Sequence, residues 1–279
     1  MQKVSTDVHT HSAFSFDGEV ALEKMLAAAL EKGISYYGVS EHFDYDQILL
    51  LKFKDKPQVC VEEYFHKARH LQEDYAGCMN VLVGGEFGYS RDPRVHKMYK
   101  EVAEKYRPDF IVNSMHTLDG EDYSDGTVFY AYNEKGEKIL RDRVEVFREY
   151  FTRVRESLDV EYPYDIIGHM TYAARYSPYE EKGLPMQELW PQIEDILRTM
   201  IKKGKILEVN SSTDGLCIPD TQIVRRYYEL GGRQISFASD AHTIERIGAK
   251  REEVVAALKE IGFTYITVPM CGEYVKVEI

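Results

Sequence analysis

Short runs rich in Val, Ile, Tyr and Phe alternate along the chain with longer stretches in which apolar residues recur every three or four positions. The first pattern predicts strands and the second amphipathic helices. The predicted strands are VSTDVHTH (4–11), SYYGVSEH (35–42), VLVGGEFG (81–88), DFIVNSMH (109–116), DIIGHM (165–170), ILEVNSS (206–212) and ISFASDAH (235–242). Helical patterns fill the gaps. EVALEKMLAAALEKG puts Leu22, Met25, Leu26, Ala29 and Leu30 on one face, with Gly33 as its stop. Others span 61–76, 94–106, 139–158, 186–203, 221–230 and 251–261. Strand–helix alternation over a whole chain predicts an α/β fold with a parallel sheet and helical crossovers. Seven such units point to a closed barrel in a single domain, residues 1–279, with an open sheet as the alternative.

The length of 279 residues is enough to bury a full core, and 44% hydrophobic with 29% charged residues excludes a disordered chain. A net charge of -12 argues against a nucleic-acid partner, which would call for a basic face. The start MQKVSTDVHTH has no apolar targeting core, and MLAAAL (25–30) is far too short to cross a bilayer, so no membrane partner is expected. Cys60, Cys78, Cys217 and Cys271 are scattered without a CxxC, which predicts free thiols in a reducing compartment, the cytoplasm.

The strand ends carry the chemistry. Strand one ends in His9 and His11, strand two in His42, strand three in Glu86, strand four in His116, strand five in His169, and strand seven in Asp240 and His242. Strand six offers Asn210 instead of a metal-type residue. Alone, His9 and His11 are as readily two polar residues on a wet strand face as a ligand pair. In a parallel barrel, however, all C-terminal strand ends open onto one rim, and six of the nine histidines lie at those ends. His66, His70 and His96 fall in helical patterns. His66 and His70 have ligand spacing, but the apolar face there is Tyr64, Phe65, Ala68, Leu71 and Tyr75, so this pair is expected to face solvent. Asp17 is either a further ligand or a cap for the helix that follows it.

Six histidines, a glutamate and an aspartate exceed the three or four ligands of one zinc ion. Two or three ions fit better, and imidazole with carboxylate suits zinc, iron or manganese. Glu86, central in strand order, is placed to bridge two of them. Such a cluster is suited to hydrolysis. No nucleophilic triad, GxxxxGK[ST] loop or GxGxxG turn competes with it.

The HTH strand, Asp17, His42, GGEFG, NSMH, IIGHM and SDAH resemble the PHP (polymerase and histidinol phosphatase) family of metal-dependent phosphoesterases, from about residue 6 to 243. VNSMHTLDG, GHMTYAARY and LEVNSS look most like its histidinol-phosphate phosphatase branch. The resemblance implies a distorted (β/α)7 barrel holding two to three divalent ions. The implied reaction is hydrolysis of L-histidinol phosphate to L-histidinol and phosphate, a step of histidine biosynthesis. By matching motifs, His9, His11, Glu86 and Asp240 hold the first ion, and Glu86, His116 and His169 the second. Asp17, His42 and His242 hold the third; some members carry a histidine where this chain has Asp17. Glu86, Asp240 and His242 are then the catalytic candidates.

Arg175, six residues past His169, is the candidate to grip the phosphate, ahead of Arg91 and Arg94. Ser114 and Asn210 could bond groups behind the ligands. Segment 117–138 reads as a long polar, aromatic-rich loop able to cover the substrate, its acidic residues meeting the amine or imidazole of histidinol. Other readings stay open: a different phosphate ester such as a nucleotide, a non-catalytic metal-binding module, or an amidohydrolase-type enzyme. Amidohydrolases also open with HxH but bridge their ions with a modified lysine, and no lysine ends a strand here.

Overall fold

The structure is a computed structural model that describes residues 5–49, 59–119, 121–181 and 183–279. All seven predicted strand segments contribute a strand: β1 Thr6–Asp7, β2 Tyr36–Val39, β3 Asn80–Gly88, β4 Phe110–Ser114, β5 Ile166–Ile167, β6 Ile206–Asn210 and β7 Ile235–Ala238. Val4, the predicted start of the first, lies outside the described residues. Seven helices occupy the predicted helical stretches: α1 Leu22–Glu31, α2 Val61–Asp74, α3 Pro93–Tyr106, α4 Arg143–Ser157, α5 Met186–Lys203, α6 Thr221–Glu229 and α7 Arg251–Ile261. The stretch predicted from 139 starts instead as strand, Ile139 and Leu140 pairing with Ala131 and Tyr130. Asp92, Asp142 and Asp220 cap α3, α4 and α6 by accepting backbone N–H bonds from Arg94, Glu145 and Gln222. Helix α1 begins after Ala21 with no side-chain cap, so capping is not the role of Asp17. Leu30 lies at the edge of the buried arc of α1 and is exposed, while Ala28 is buried.

The strands pair in parallel in the order β1-β2-β3-β4-β5-β6-β7. Beyond the short ladder of β1 the chain turns to β7. Val8 N–H donates to the Phe237 carbonyl, Asp240 N–H to His9, and His11 N–H to Ala241, with a parallel bridge between Thr10 and Ala241. Those bonds nearly close the sheet into a barrel. His42–Phe43 adds a short parallel pair onto Glu86–Phe87, which brings the end of the second unit against the middle of the rim.

Side chains two apart on a strand share a face, and this sorts the barrel interior into layers. Toward the N-terminal ends, Val8, Leu82, Phe110, Val112, Ile166 and Ile206 form an apolar cluster. The Phe110 ring fits because its neighbours are glycines: a Cβ on Gly84 would lie 2.4 Å from the ring, and one on Gly38 2.9 Å. The C-terminal hairpin, β8 Tyr265–Met270 with β9 Glu273–Glu278, closes that end by inserting Val268 and Val277 into the cluster. Following the same parity upward, Leu82 leads to Glu86, Val112 to Ser114 and His116, and Ile206 to Glu208 and Asn210. The barrel therefore has an apolar floor and a polar, titratable upper layer.

Segment 117–138 is more ordered than its polar composition predicts. It contains the hairpin Thr117–Leu118 with Glu121–Asp122, and Tyr130–Tyr132 pairs with Lys138–Leu140. Tyr123, Val128 and Phe129 are buried, because this stretch spends its aromatics on the core. No helix among the described residues is long and apolar enough to cross a membrane.

Candidate metal centre

The rim gathers side chains from almost the full length of the chain around one carboxylate. Glu86, near the C-terminal end of β3, is fully buried. Its Oε1 lies 2.9 Å from His169 Nε2, 3.2 Å from His116 Nε2 and 3.3 Å from His9 Nε2. Its Oε2 lies 2.9 Å from His42 Nδ1 and 3.6 Å from His11 Nε2. Asp240 Oδ1 is 3.3 Å from His11 Nε2 and 3.8 Å from His9 Nε2. Asp17 Oδ2 is 3.2 Å from His242 Nε2 and 3.6 Å from His42 Nε2. All nine ligand-type residues anticipated in the sequence thus come together. Asp240 adopts left-handed backbone (φ 52°), a conformation Asp tolerates better than most residues, as the chain leaves β7.

Carboxylate, hydroxyl and backbone partners set the imidazole tautomers. His9 Nδ1–H donates to Glu208 (2.7 Å) and His116 Nδ1–H to Asp44 (2.9 Å). Ser15 gives its single proton to Glu41 (2.5 Å), so at His11 Nδ1 it accepts (3.2 Å). His242 Nδ1–H donates to the Asp240 carbonyl (3.0 Å). In each ring Nε2 is left pointing into the cluster. His9 Nε2 and His11 Nε2 are then 3.1 Å apart, and His116 Nε2 and His169 Nε2 3.4 Å. With both Nδ1 atoms protonated, neutral His9 and His11 aim Nε2 lone pairs at each other, which favours a positive charge in between.

Metal ions fit that requirement. Tetrahedral coordination with bonds of about 2.0–2.1 Å separates neighbouring ligand atoms by about 3.3 Å, close to most of the distances above. Three compact groups can each accept an ion: His9, His11 and Glu86; His42, Glu86 and His116; and His11, His42 and His242. His42 belongs to two of them, through Nδ1 toward Glu86 and Nε2 toward Asp17. Glu86 Oε2 and His242 Nε2 are buried without a hydrogen bond, as coordinating atoms would be before an ion is added.

The electrostatics agree. Burial resists ionisation of Glu86, yet His116, His9 and His42 hold it well below the usual carboxylate range. Burial likewise opposes charge on His9, but Glu208 and Glu86 raise it well above the ordinary imidazole value. For His42 the opposing carboxylates are Glu86 and Asp17, and for His116 Glu86 and Asp44. Burial, reinforced by His42 and His242, pushes His11 down to about 3. Negative carboxylates thus face rings competing for positive charge.

A cavity of about 320 Å³ opens over the cluster, bordered by Asp17, His42, His116, His169, Asp240 and His242. Asp122, Ser124, Tyr172, Arg175 and Tyr176 also line it. Arg175 packs over Tyr172, with its guanidinium carbon 5.4 Å from the ring centre, and donates to the Ser212 carbonyl. A larger cleft of about 1010 Å³ shares Arg175 and Ser212 with this cavity but holds none of the histidine cluster. Among the described residues of the predicted loop 117–138, only Asp122 and Ser124 line the smaller cavity.

Other expectations divide. Arg91 pairs with Glu156, and Arg94 with Asp92, its own helix cap; neither lines the cavity. His66 and His70 are exposed as anticipated, and His96 bonds the Ser90 carbonyl. Asn210 donates to Glu208 (2.8 Å), whereas Ser114 Oγ makes no hydrogen bond and packs against Gly168. The carboxylate of strand six, Glu208, escaped the reading that this strand ends without a metal-type residue. It sits two positions before Asn210, on the same face, and that parity was the available signal. Asp44 and Glu41 were also missed, since neither ends a predicted strand.

The PHP domain family model matches residues 7–212. A probable histidinol-phosphatase of Thermotoga maritima is 29% identical over 268 residues, 94% of this chain and 94% of that protein. A histidinol-phosphatase of Lactococcus lactis is 27% identical over 262 residues, 92% of this chain and 91% of that one. The crystal structure of histidinol phosphate phosphatase from Lactococcus lactis, complexed with zinc, L-histidinol and phosphate, superposes with a TM-score of 0.81 at 24% identity. That match covers 98% of this chain and 99% of the other, and it carries the same barrel.

Proposed function

The chain belongs to the PHP domain family, and from that membership we propose that it is a metal-dependent phosphatase hydrolysing L-histidinol phosphate to L-histidinol and phosphate. The observation that carries this reading is Glu86: one buried carboxylate within 3.6 Å of five imidazoles drawn from four segments of the barrel. The relatives that match along nearly their whole length bear histidinol-phosphatase names, which supports the choice of ester.

In this reading His9, His11, Glu86 and Asp240 hold one divalent ion; Glu86, His116 and His169 a second; and Asp17, His42 and His242 a third. Zinc, iron and manganese all suit these ligands. Such ions neutralise charge on phosphoryl oxygens and acidify water. The chain's own part is to hold the phosphate in place. Arg175 lines the cavity and offers guanidinium N–H groups to the non-bridging oxygens. Glu86, kept ionised by its imidazole neighbours, holds negative charge at the shared position. Asp240 and His242, at the end of β7, border the cavity. The Asp240 carboxylate is placed to exchange a proton with the departing alkoxide, while His242, its Nδ1–H held by the Asp240 carbonyl, would hold the ion beside it. Asp122, at the cavity wall, is placed to meet a cationic substrate group.

We also read residues 1–279 as one domain, because the barrel closes only through β7 and its floor only through the C-terminal hairpin. We place the protein in the cytoplasm on its four unpaired cysteines. The deciding experiment is a kinetic panel of phosphomonoesters with metal-replete protein. A large preference for L-histidinol phosphate is expected. Preference for a nucleotide would overturn the substrate, and hydrolysis of amides or lactones without phosphatase activity would overturn the reaction class.

A further inference from the structure

Two buried carboxylates outside the proposed ligand set hold it, Glu208 from behind and Asp44 at the edge of the cavity, and each touches ligands of two different metal positions. Glu208 on β6 is fully buried. Its Oε2 accepts from His9 Nδ1–H at 2.7 Å; its Oε1 accepts from the His169 backbone N–H at 2.9 Å and from Asn210 at 2.8 Å. Both oxygens thus receive N–H donors, and Glu208 belongs to none of the compact ligand groups, which makes it a support. Asp44, just past the His42–Phe43 pair, is 2% exposed. Its Oδ1 accepts from His116 Nδ1–H at 2.9 Å, and its Oδ2 lies 3.4 Å from His42 Nδ1. Room for it depends on Gly88, where a Cβ would sit 2.1 Å from Asp44 Oδ1.

We infer that Glu208 and Asp44 are positioning residues that tie the three metal positions into one unit, Glu208 joining the first to the second and Asp44 the second to the third. The inference rests on the metal assignment proposed above. A carboxylate that accepts Nδ1–H fixes the tautomer, aims Nε2 at the ion and raises its basicity. Glu208 does this for His9 and, through the backbone bond, anchors the strand end that carries His169. Asp44 does it for His116 and faces the Nδ1 of His42, whose Nε2 points to Asp17. The first and second positions therefore share a support as well as Glu86, and the second and third are joined through Asp44.

The test uses the full chain with Glu208→Gln or Asp44→Asn, equilibrated with zinc in a metal buffer. Total affinity is read by chelator competition, and occupancy at each position by anomalous diffraction from crystals in the same buffer. Glu208→Gln is expected to weaken the first and second positions by about 10–100-fold and to spare the third. Asp44→Asn is expected to weaken the second and third and to spare the first. Equal loss at all three positions in both variants, or wild-type occupancy throughout, would overturn the inference. Should Glu208→Gln fail to fold, Asn210→Ala loosens Glu208 without touching an imidazole, and the same pattern is expected at reduced size; unchanged occupancy there counts against the inference. Wild-type protein that binds no zinc at these residues would instead overturn the phosphatase reading.

Discussion

Replacing Glu86 by glutamine preserves the volume of the side chain and removes one negative charge from the middle of the cluster. The site around it is fully buried and holds five imidazole nitrogens between 2.9 and 3.6 Å from the two carboxylate oxygens. The amide can present one oxygen to one ion, but its NH2 group meets the other as a donor. Breaking a buried charge pair costs about 3–5 kcal/mol. At about 1.4 kcal/mol per tenfold, that is roughly 10²- to 10³-fold weaker binding or slightly more at the shared positions. Chelator competition and metal analysis read this loss directly, and kcat/KM on L-histidinol phosphate falls with it. Raising the metal concentration restores occupancy before it restores kcat, because the bridging charge is still missing. Full activity and an unchanged metal affinity in Glu86→Gln would refute the placement of this residue at the centre of the site.

Arg175→Ala removes charge-assisted hydrogen bonds to phosphate, each contributing about 1.5–3 kcal/mol, and should lower kcat/KM by about 10–150-fold at wild-type metal content; an unchanged kcat/KM would place the phosphate elsewhere. Gly84→Ala drives a methyl into the Phe110 ring and should cost about 1–3 kcal/mol in urea unfolding. Adding Phe110→Leu should recover part of that loss, and strictly additive effects would mean that the two residues do not compete for the same space. Asp7, buried beneath the rim and bonded to Ser239 and Gly248, has its carboxyl pushed up to about 6 by burial. The folded protein therefore binds this proton more tightly than the unfolded chain. The resulting stability is present below pH 4 and is lost as the pH rises through 6. Relative to Asp7→Asn, wild type should lose about 3 kcal/mol between those limits, and a pH-independent difference would refute the shift.

The strand endings were readable because they are local. A strand alternates its faces, a helix repeats every three to four residues, and a histidine or acid at the end of an apolar run is visible without knowing its neighbours. Parity also contained Glu208, two residues before Asn210, although a charged residue inside an apolar strand was easily passed over. The C-terminal hairpin Tyr265–Met270 with Glu273–Glu278 carries no residue pattern that states its role. Only its insertion of Val268 and Val277 beneath Phe110 gives it a task. The segment after His116 misled for a related reason: its polar residues are frequent, but Tyr123 and Phe129 face the core.

What the sequence determined by itself was the order of strands and helices, the seven alternating units and the residues at the strand ends. Each of these depends on periodicity over fewer than about ten residues. The tertiary structure decided which residues meet: that Glu86 faces five imidazoles, that His42 stands between Glu86 and Asp17, and that Glu208 and Asp44 hold rings from other strands. Those contacts join residues as far apart as His9 and Glu208, 199 positions along the chain. They exist only because a barrel closes its first strand against its last, and that closure sets the distances at which charge, lone pair and metal ion act on one another.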